Sequence, residues 1–197
     1  MVLPGAVLFP NTVFPLRIFE PRYRAMLEWV LEHDRMFCVA MMKPGITEAE
    51  TEDEFFHTAG IGLVAASVTQ ADGTSNLMLH GLGRVHFIGF SQRTPFRIAT
   101  VVPRPDFATA PAQTEPLVKK LRGQCSAIRV NDAPLPASFI EAVERIGDPA
   151  LLSDTVASSL INDPAQRQRL LEQQNPAERL LELTRILGRE FLGGESA

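Results

Sequence analysis

Residues 103–116 read PRPDFATAPAQTEP, with four prolines and one large apolar side chain, Phe107. The apolar pattern differs on the two sides of this stretch. Upstream lie GAVLF (5–9), FPLRIF (14–19), MFCVAMM (36–42), GIGLVAASV (60–68), NLMLHGLGRVHFIGF (76–90) and FRIATVV (96–102). These are short β-type runs separated by turn chemistry. Downstream, apolar residues recur at spacings of three and four, as on helices. The change of period marks a lobe boundary. It predicts a strand-rich lobe over 1–104, a proline-rich linker over 105–116 and an all-helical bundle over 117–197.

In the first lobe Asp72-Gly73 sits between two strand runs and reads as a hairpin turn. Gly81 and Gly83 interrupt the longest run, as a bulge or a tight bend requires. One helix is expected over 21–33. Pro21 suits a first helical position, and Tyr23, Met26, Leu27, Val30 and Leu31 form one apolar stripe. Trp29 falls off that stripe and reads either as a protein contact or as cover for the helix edge. Strands with one packed helix make an α+β or closed-barrel plan.

In the second lobe Asp148-Pro149, Asp163-Pro164 and Asn175-Pro176 each pair an N-cap acceptor with a first-turn proline. Gln166 and Glu178 stand three residues past their caps, where a capping box places its acceptor. Four or five helices are expected.

The chain has 197 residues, net charge −4, and 45% hydrophobic against 21% charged residues, which excludes a chain disordered throughout. Two cysteines exclude a disulfide scaffold. Each half of the chain is mildly acidic, without the global basic excess of a typical nucleic-acid binder. The longest apolar run is too short to span a bilayer. The opening residues lack the basic leader of a signal peptide, so the cytoplasm is the expected location. Five of the seven residues 48–54 are acidic and read as a solvated loop.

The residues suggest no engine. No lysine belongs to a phosphate-binding loop, and no histidine or cysteine falls in a metal-ligand spacing. Gly60-Ile61-Gly62 fits a twisted strand better than a dinucleotide turn, because β-type sequence follows it. No catalytic residue, cofactor or metal is expected.

The opening run Leu3-Pro4, Val7-Leu8-Phe9-Pro10, Pro15-Leu16-Arg17-Ile18-Phe19-Glu20-Pro21-Arg22-Tyr23 resembles the amino-terminal, substrate-binding domain of the Lon protease family. Gly60-Ile61-Gly62, Asp72-Gly73, Gly81-Leu82-Gly83-Arg84 and, in the helical half, Glu178-Arg179-Leu180 resemble further family motifs. The resemblance covers about residues 3–192 and implies a PUA-like β-barrel followed by a helical bundle. It implies a non-catalytic module that binds unfolded or partly folded proteins or peptides, linked to protein quality control or proteolysis. A separate protease or ATPase is then an expected partner. The ATPase and Ser–Lys peptidase domains that normally follow are absent from this sequence, so it reads as a stand-alone member. The rival readings are an RNA-binding PUA-like protein and a small-molecule-binding barrel.

A groove between the lobes is the expected peptide site, near residues 17–23 and the 81–84 bend. Arg17, Arg22 and Arg84 are the candidate donors there, and Phe14 and Phe19 the candidate apolar surface. The competing reading makes the phenylalanines core residues and the arginines structural ties. Glu20 reads as a helix cap or as a charge at the positive helix end.

Overall fold

The computed structural model describes residues 1–193; residues 194–197, the end of the expected helical lobe, lie outside them. The chain divides into two compact units, one over Met1–Pro105 and one from Asp106 onward.

The first unit is built from β1 (Val2–Leu3), β2 (Val13–Ile18), α1 (Pro21–Glu32), β3 (Met36–Met41), β4 (Thr58–Thr69), β5 (Ser75–Gln92) and β6 (Ile98–Pro103). The sheet runs β1-β3-β4-β5-β2, with β6 also on β5. All pairings are antiparallel except β1 with β3. The long strand β5 serves two partners in turn: Ser75 to His80 pair with β2, and Val85 to Gln92 with β6. The β4–β5 hairpin turns at Asp72-Gly73. There Gly73 has φ +78°, and Asp72 accepts hydrogen bonds from the Thr74 amide and hydroxyl. The register slips where Ile61 pairs with Gly83 but Gly62 with Gly81, so Leu82 is the extra residue of a bulge.

Tyr23, Met26, Leu27 and Val30 of α1 are buried against Leu8, Ile18, Phe37, Val39, Val64, Leu77 and Leu79. Leu31 lies at the margin of the stripe and is exposed. Tyr23 also ties down the first strand: its hydroxyl donates to the Val2 carbonyl at 2.8 Å and accepts from the Val2 amide at 3.2 Å.

The sequence predicts a strand over 5–9, but the segment joins no ladder. It is nevertheless core, with Val7, Leu8 and Phe9 almost wholly buried. The segment lies across the glycines of β4 and β5. A Cβ added at Gly60 would collide with the Leu8 carbonyl, one at Gly62 with the Leu79 and Leu8 side chains, and one at Gly81 with the Phe9 carbonyl. Bonds from Asn11 N to Gly81 O and from Gly81 N to Thr12 O fix its exit. These glycines serve close backbone approach, which accounts for the Gly60-Ile61-Gly62 pattern inside a strand.

The second unit contains α2 (Pro111–Ala127), β7 (Arg129–Val130), β8 (Ala133–Pro134), α3 (Ala137–Arg145), α4 (Pro149–Leu160), α5 (Pro164–Glu172) and α6 (Pro176–Phe191). Two features differ from expectation. First, α2 starts inside the segment read as linker. Pro111 takes the first helical position, and Gln113 Oε1 accepts from the Ala110 amide. Second, the lobe is not all helix: β7 and β8 form a two-residue ladder around Asn131-Asp132, both at positive φ. Asparagine and aspartate tolerate that conformation, as hairpin turns require.

Asp148, Asp163 and Asn175 cap α4, α5 and α6, each accepting two backbone amides. Gln166 does not return to its cap; its amide donates to Glu190 at 2.9 Å. The core is formed by Leu121, Cys125 and Ile128 with Leu152, Val156, Leu170, Leu171, Leu180, Leu183 and Leu187. Gln124 Nε2 donates to the Thr184 carbonyl at 2.9 Å, tying α2 to α6. Asp148→Ala and Asp163→Ala are each expected to cost about 1 kcal/mol, since each strands two helix amides. Urea unfolding of the single and double variants checks this, with near-additive losses expected.

Candidate functional site

Alternation along β2 sorts its residues. Phe14 and Leu16 pack on the core and Ile18 lies within it. Val13, Pro15 and Arg17 point outward, and Phe19, just beyond the strand, is 61% exposed. The register sets Val13 opposite His80, Pro15 opposite Met78 and Arg17 opposite Asn76. On the other side of β5, Leu63, Ala66 and Val68 stand opposite His80, Met78 and Asn76. Three strands thus present one outer face. Val13 (57%), Met78 (41%) and Val68 (62%) are its exposed apolar residues, with Arg17 among them. A shallow depression of about 470 Å³ runs between Pro15, Arg17, Ala66, Val68, Asn76 and Met78.

The five candidate residues are therefore distributed. Arg17 and Phe19 belong to the outward set of β2, whereas Phe14 packs on the core side. Arg22, on α1, donates through Nε to Glu20 at 2.8 Å and through Nη1 to Glu48 at 3.3 Å. Glu20 spends its side chain on this pair and leaves the α1 amides to its backbone carbonyl. Arg84 is 5% exposed, paired in register with Gly60.

A second feature of the unit is a mostly apolar cavity of about 260 Å³, with Asp34 and Arg97 also on its wall. Trp29 of α1, Phe55, Phe87 and Phe90, and Phe96 before β6 give it an aromatic lining, and Cys38 and Ala99 face it from β3 and β6. Phe55 meets Phe87 and Phe90 edge-on, with centroids 6.1 and 5.9 Å apart. Burial pushes the Cys38 thiol above its ordinary pKa and keeps it in the unreactive form. Trp29 stacks on His33 at 3.9 Å.

The acidic segment near this cavity is anchored as well as solvated. Arg93 pairs with Glu52 at 2.6 Å, and Arg97 Nη2 donates to the carbonyls of Ala49 and Glu50 at 2.6 and 3.0 Å. Glu54 accepts the amides of Glu50 and Thr51, which hold its carboxyl below the ordinary range. Ala49 and Phe55 are buried beneath the segment. Sequence reasoning missed the cavity. Its aromatic residues come from separate runs, and the one cue is that five of the twelve phenylalanines fall between 55 and 96.

Among the described residues no group of three or more His, Cys, Asp or Glu could hold a metal ion. Among the same residues no helix is long and apolar enough to cross a membrane.

The model of the ATP-dependent protease La (LON) substrate-binding domain matches residues 1–189, and the chain belongs to that family. It is 26% identical over 194 residues to Lon protease 1 of Myxococcus xanthus, covering 96% of this chain and 24% of that protein. Lon protease of Escherichia coli K12 is 24% identical over 196 residues, again 96% of this chain and 24% of the relative. The chain thus spans about a quarter of the length of these relatives. The N-terminal domain of Mycobacterium avium complex Lon protease superposes with a TM-score of 0.71 at 20% identity, covering 96% of this chain and 94% of that one. The Lon N-terminal domain protein of Xanthomonas campestris gives 0.63 at 20% identity, covering 92% and 94%.

Proposed function

We propose that this chain is a non-catalytic module that binds unfolded or partly folded polypeptides in the cytoplasm, in the service of proteolysis or quality control carried out by a separate protease or ATPase. The outer face of β2, β5 and β4 carries this reading. A folded protein seldom leaves neighbouring apolar side chains on an open sheet face without a partner for them. Val13, Met78, Val68 and Phe19 supply apolar area for a substrate, and Arg17 supplies a donor. Membership of a substrate-binding family supports the same assignment.

The test is capture of reduced, carboxymethylated lactalbumin by the purified chain, measured by fluorescence anisotropy. Met78→Asp combined with Phe19→Asp is expected to weaken capture at least tenfold. The melting temperature should stay within a few degrees, because exposed substitutions usually cost at most about 0.5 kcal/mol. Capture as strong as that of the parent would overturn the assignment.

A further inference from the structure

The sheet of the first unit is left open along one seam. Among the described residues β6 has a ladder with β5 alone, while the outer edge of β3 is taken by β1 and by Met1, whose amine donates to the Cys38 carbonyl and whose carbonyl accepts from the Ala40 amide. Unpaired edges are usually blunted by charge or proline within the strand. The edge strand β2 follows that rule, with Pro15 and Arg17 inside it. The strand β6 does not: Ile98, Ala99, Thr100, Val101 and Val102 are uncharged, and its proline comes only at the last position. The seam is also where the cavity lies, because Met36, Phe37 and Cys38 line it from β3 and Ile98, Ala99 and Val101 from β6.

We propose that an extended polypeptide segment pairs with the free edge of β6 and lowers one large apolar side chain, aromatic or branched, into this cavity. Two observations select a polypeptide as the occupant. A strand edge offers backbone donors and acceptors in a row, and a pocket beside it selects one side chain; together these are the elements of strand addition. The size also fits: an apolar cavity of about 150 Å³ admits benzene, and this one measures about 260 Å³. The lining is mainly aromatic, from Trp29, Phe55, Phe87, Phe90 and Phe96, with Asp34 and Arg97 also on the wall, and its apolar majority favours an apolar side chain. The site is separate from the outer face of β2 and β5. It rests on the proposed function only in taking protein as the ligand.

Trp29, the one tryptophan of the chain, lines the cavity and reports its occupancy. The probe is the acetylated, amidated peptide Lys-Thr-Val-Phe-Val-Thr-Lys, titrated at fixed pH while Trp29 emission is read. The expected result is a saturable spectral change. Affinity should fall at least tenfold when the phenylalanine of the probe is replaced by alanine, and by as much when the valine amides are N-methylated. Ala99→Phe fills the cavity and should abolish the signal; if that variant fails to fold, Cys38→Phe plugs the same space from the opposite strand. Val130→Asp, at an exposed position of the second unit, should leave peptide binding intact.

The proposal is overturned by an absent or unsaturable signal, by a plugged variant that binds as the parent does, or by undiminished binding of the N-methylated probe. Loss of peptide binding in Val130→Asp also overturns it. Equal affinity for N-acetylphenylalanine amide would show a small-molecule pocket instead. Lactalbumin capture by the parent separates the two readings: if it persists while the peptide signal is absent, this inference alone fails.

Discussion

Arg179→Met is expected to destabilise the second unit by about 3–5 kcal/mol, the cost of leaving a buried charge without its partner. Arg179 is fully buried. Its guanidinium binds both Asp106 carboxylate oxygens, at 2.7 and 3.1 Å, the Ser153 hydroxyl at 2.8 Å and the Gln173 carbonyl at 2.6 Å. Asp154, itself 2% exposed, lies 3.2 Å from Nε. One side chain thus ties the start of the unit, α4 and the turn before α6. Domains are stable by only about 5–15 kcal/mol, so the loss should appear as a large fall in the urea midpoint. The double variant Arg179→Met/Asp154→Leu should lose less stability than the sum of the two single variants, because the Arg179–Asp154 pair is then lost only once. A single variant within about 1 kcal/mol of the parent would refute this role.

Gly81→Ala should cost about 2–3 kcal/mol or more, while Gly83→Ala, two residues away, should be close to neutral. The new methyl group at 81 meets the Phe9 carbonyl, backbone that cannot rotate aside, whereas nothing lies within 4 Å of a Cβ at 83. A propensity effect alone would move both variants in the same direction, so the contrast isolates steric overlap. Thermal melts of the two variants suffice. Equal melting temperatures would mean that the 5–9 segment does not lie where the structure places it.

What was legible in the sequence was local. The caps Asp148, Asp163 and Asn175 were readable because acceptor, proline and target amides lie within three residues. The β4–β5 turn was readable for the same reason. The period-two alternation of FPLRIF separates Phe14, on the core side, from Arg17 and Phe19 on the outside, whereas the expected peptide site groups Phe14 with Phe19 as one apolar surface. Long-range features were not legible. Val7, Leu8 and Phe9 have strand-like composition, and only the glycines of two distant strands explain why they cross the sheet instead of joining it. Arg179 stood out only within a family-like motif, since its partner Asp106 is 73 residues away. The β7–β8 ladder is too short for any periodicity; Asn131-Asp132 was its single signal. The candidate site divided in the same way: one face came from alternation within a strand, and the cavity from separate runs meeting at an open seam.

The central claim is that the first unit holds polypeptide on the outer face of β2 and β5. Hydrogen exchange read by mass spectrometry, with and without saturating carboxymethylated lactalbumin, tests it most directly. The account predicts slowed exchange in peptides covering residues 13–19 and 75–82, absent in the Met78→Asp/Phe19→Asp variant. Protection confined to the helical unit, or no protection at saturation, would contradict it.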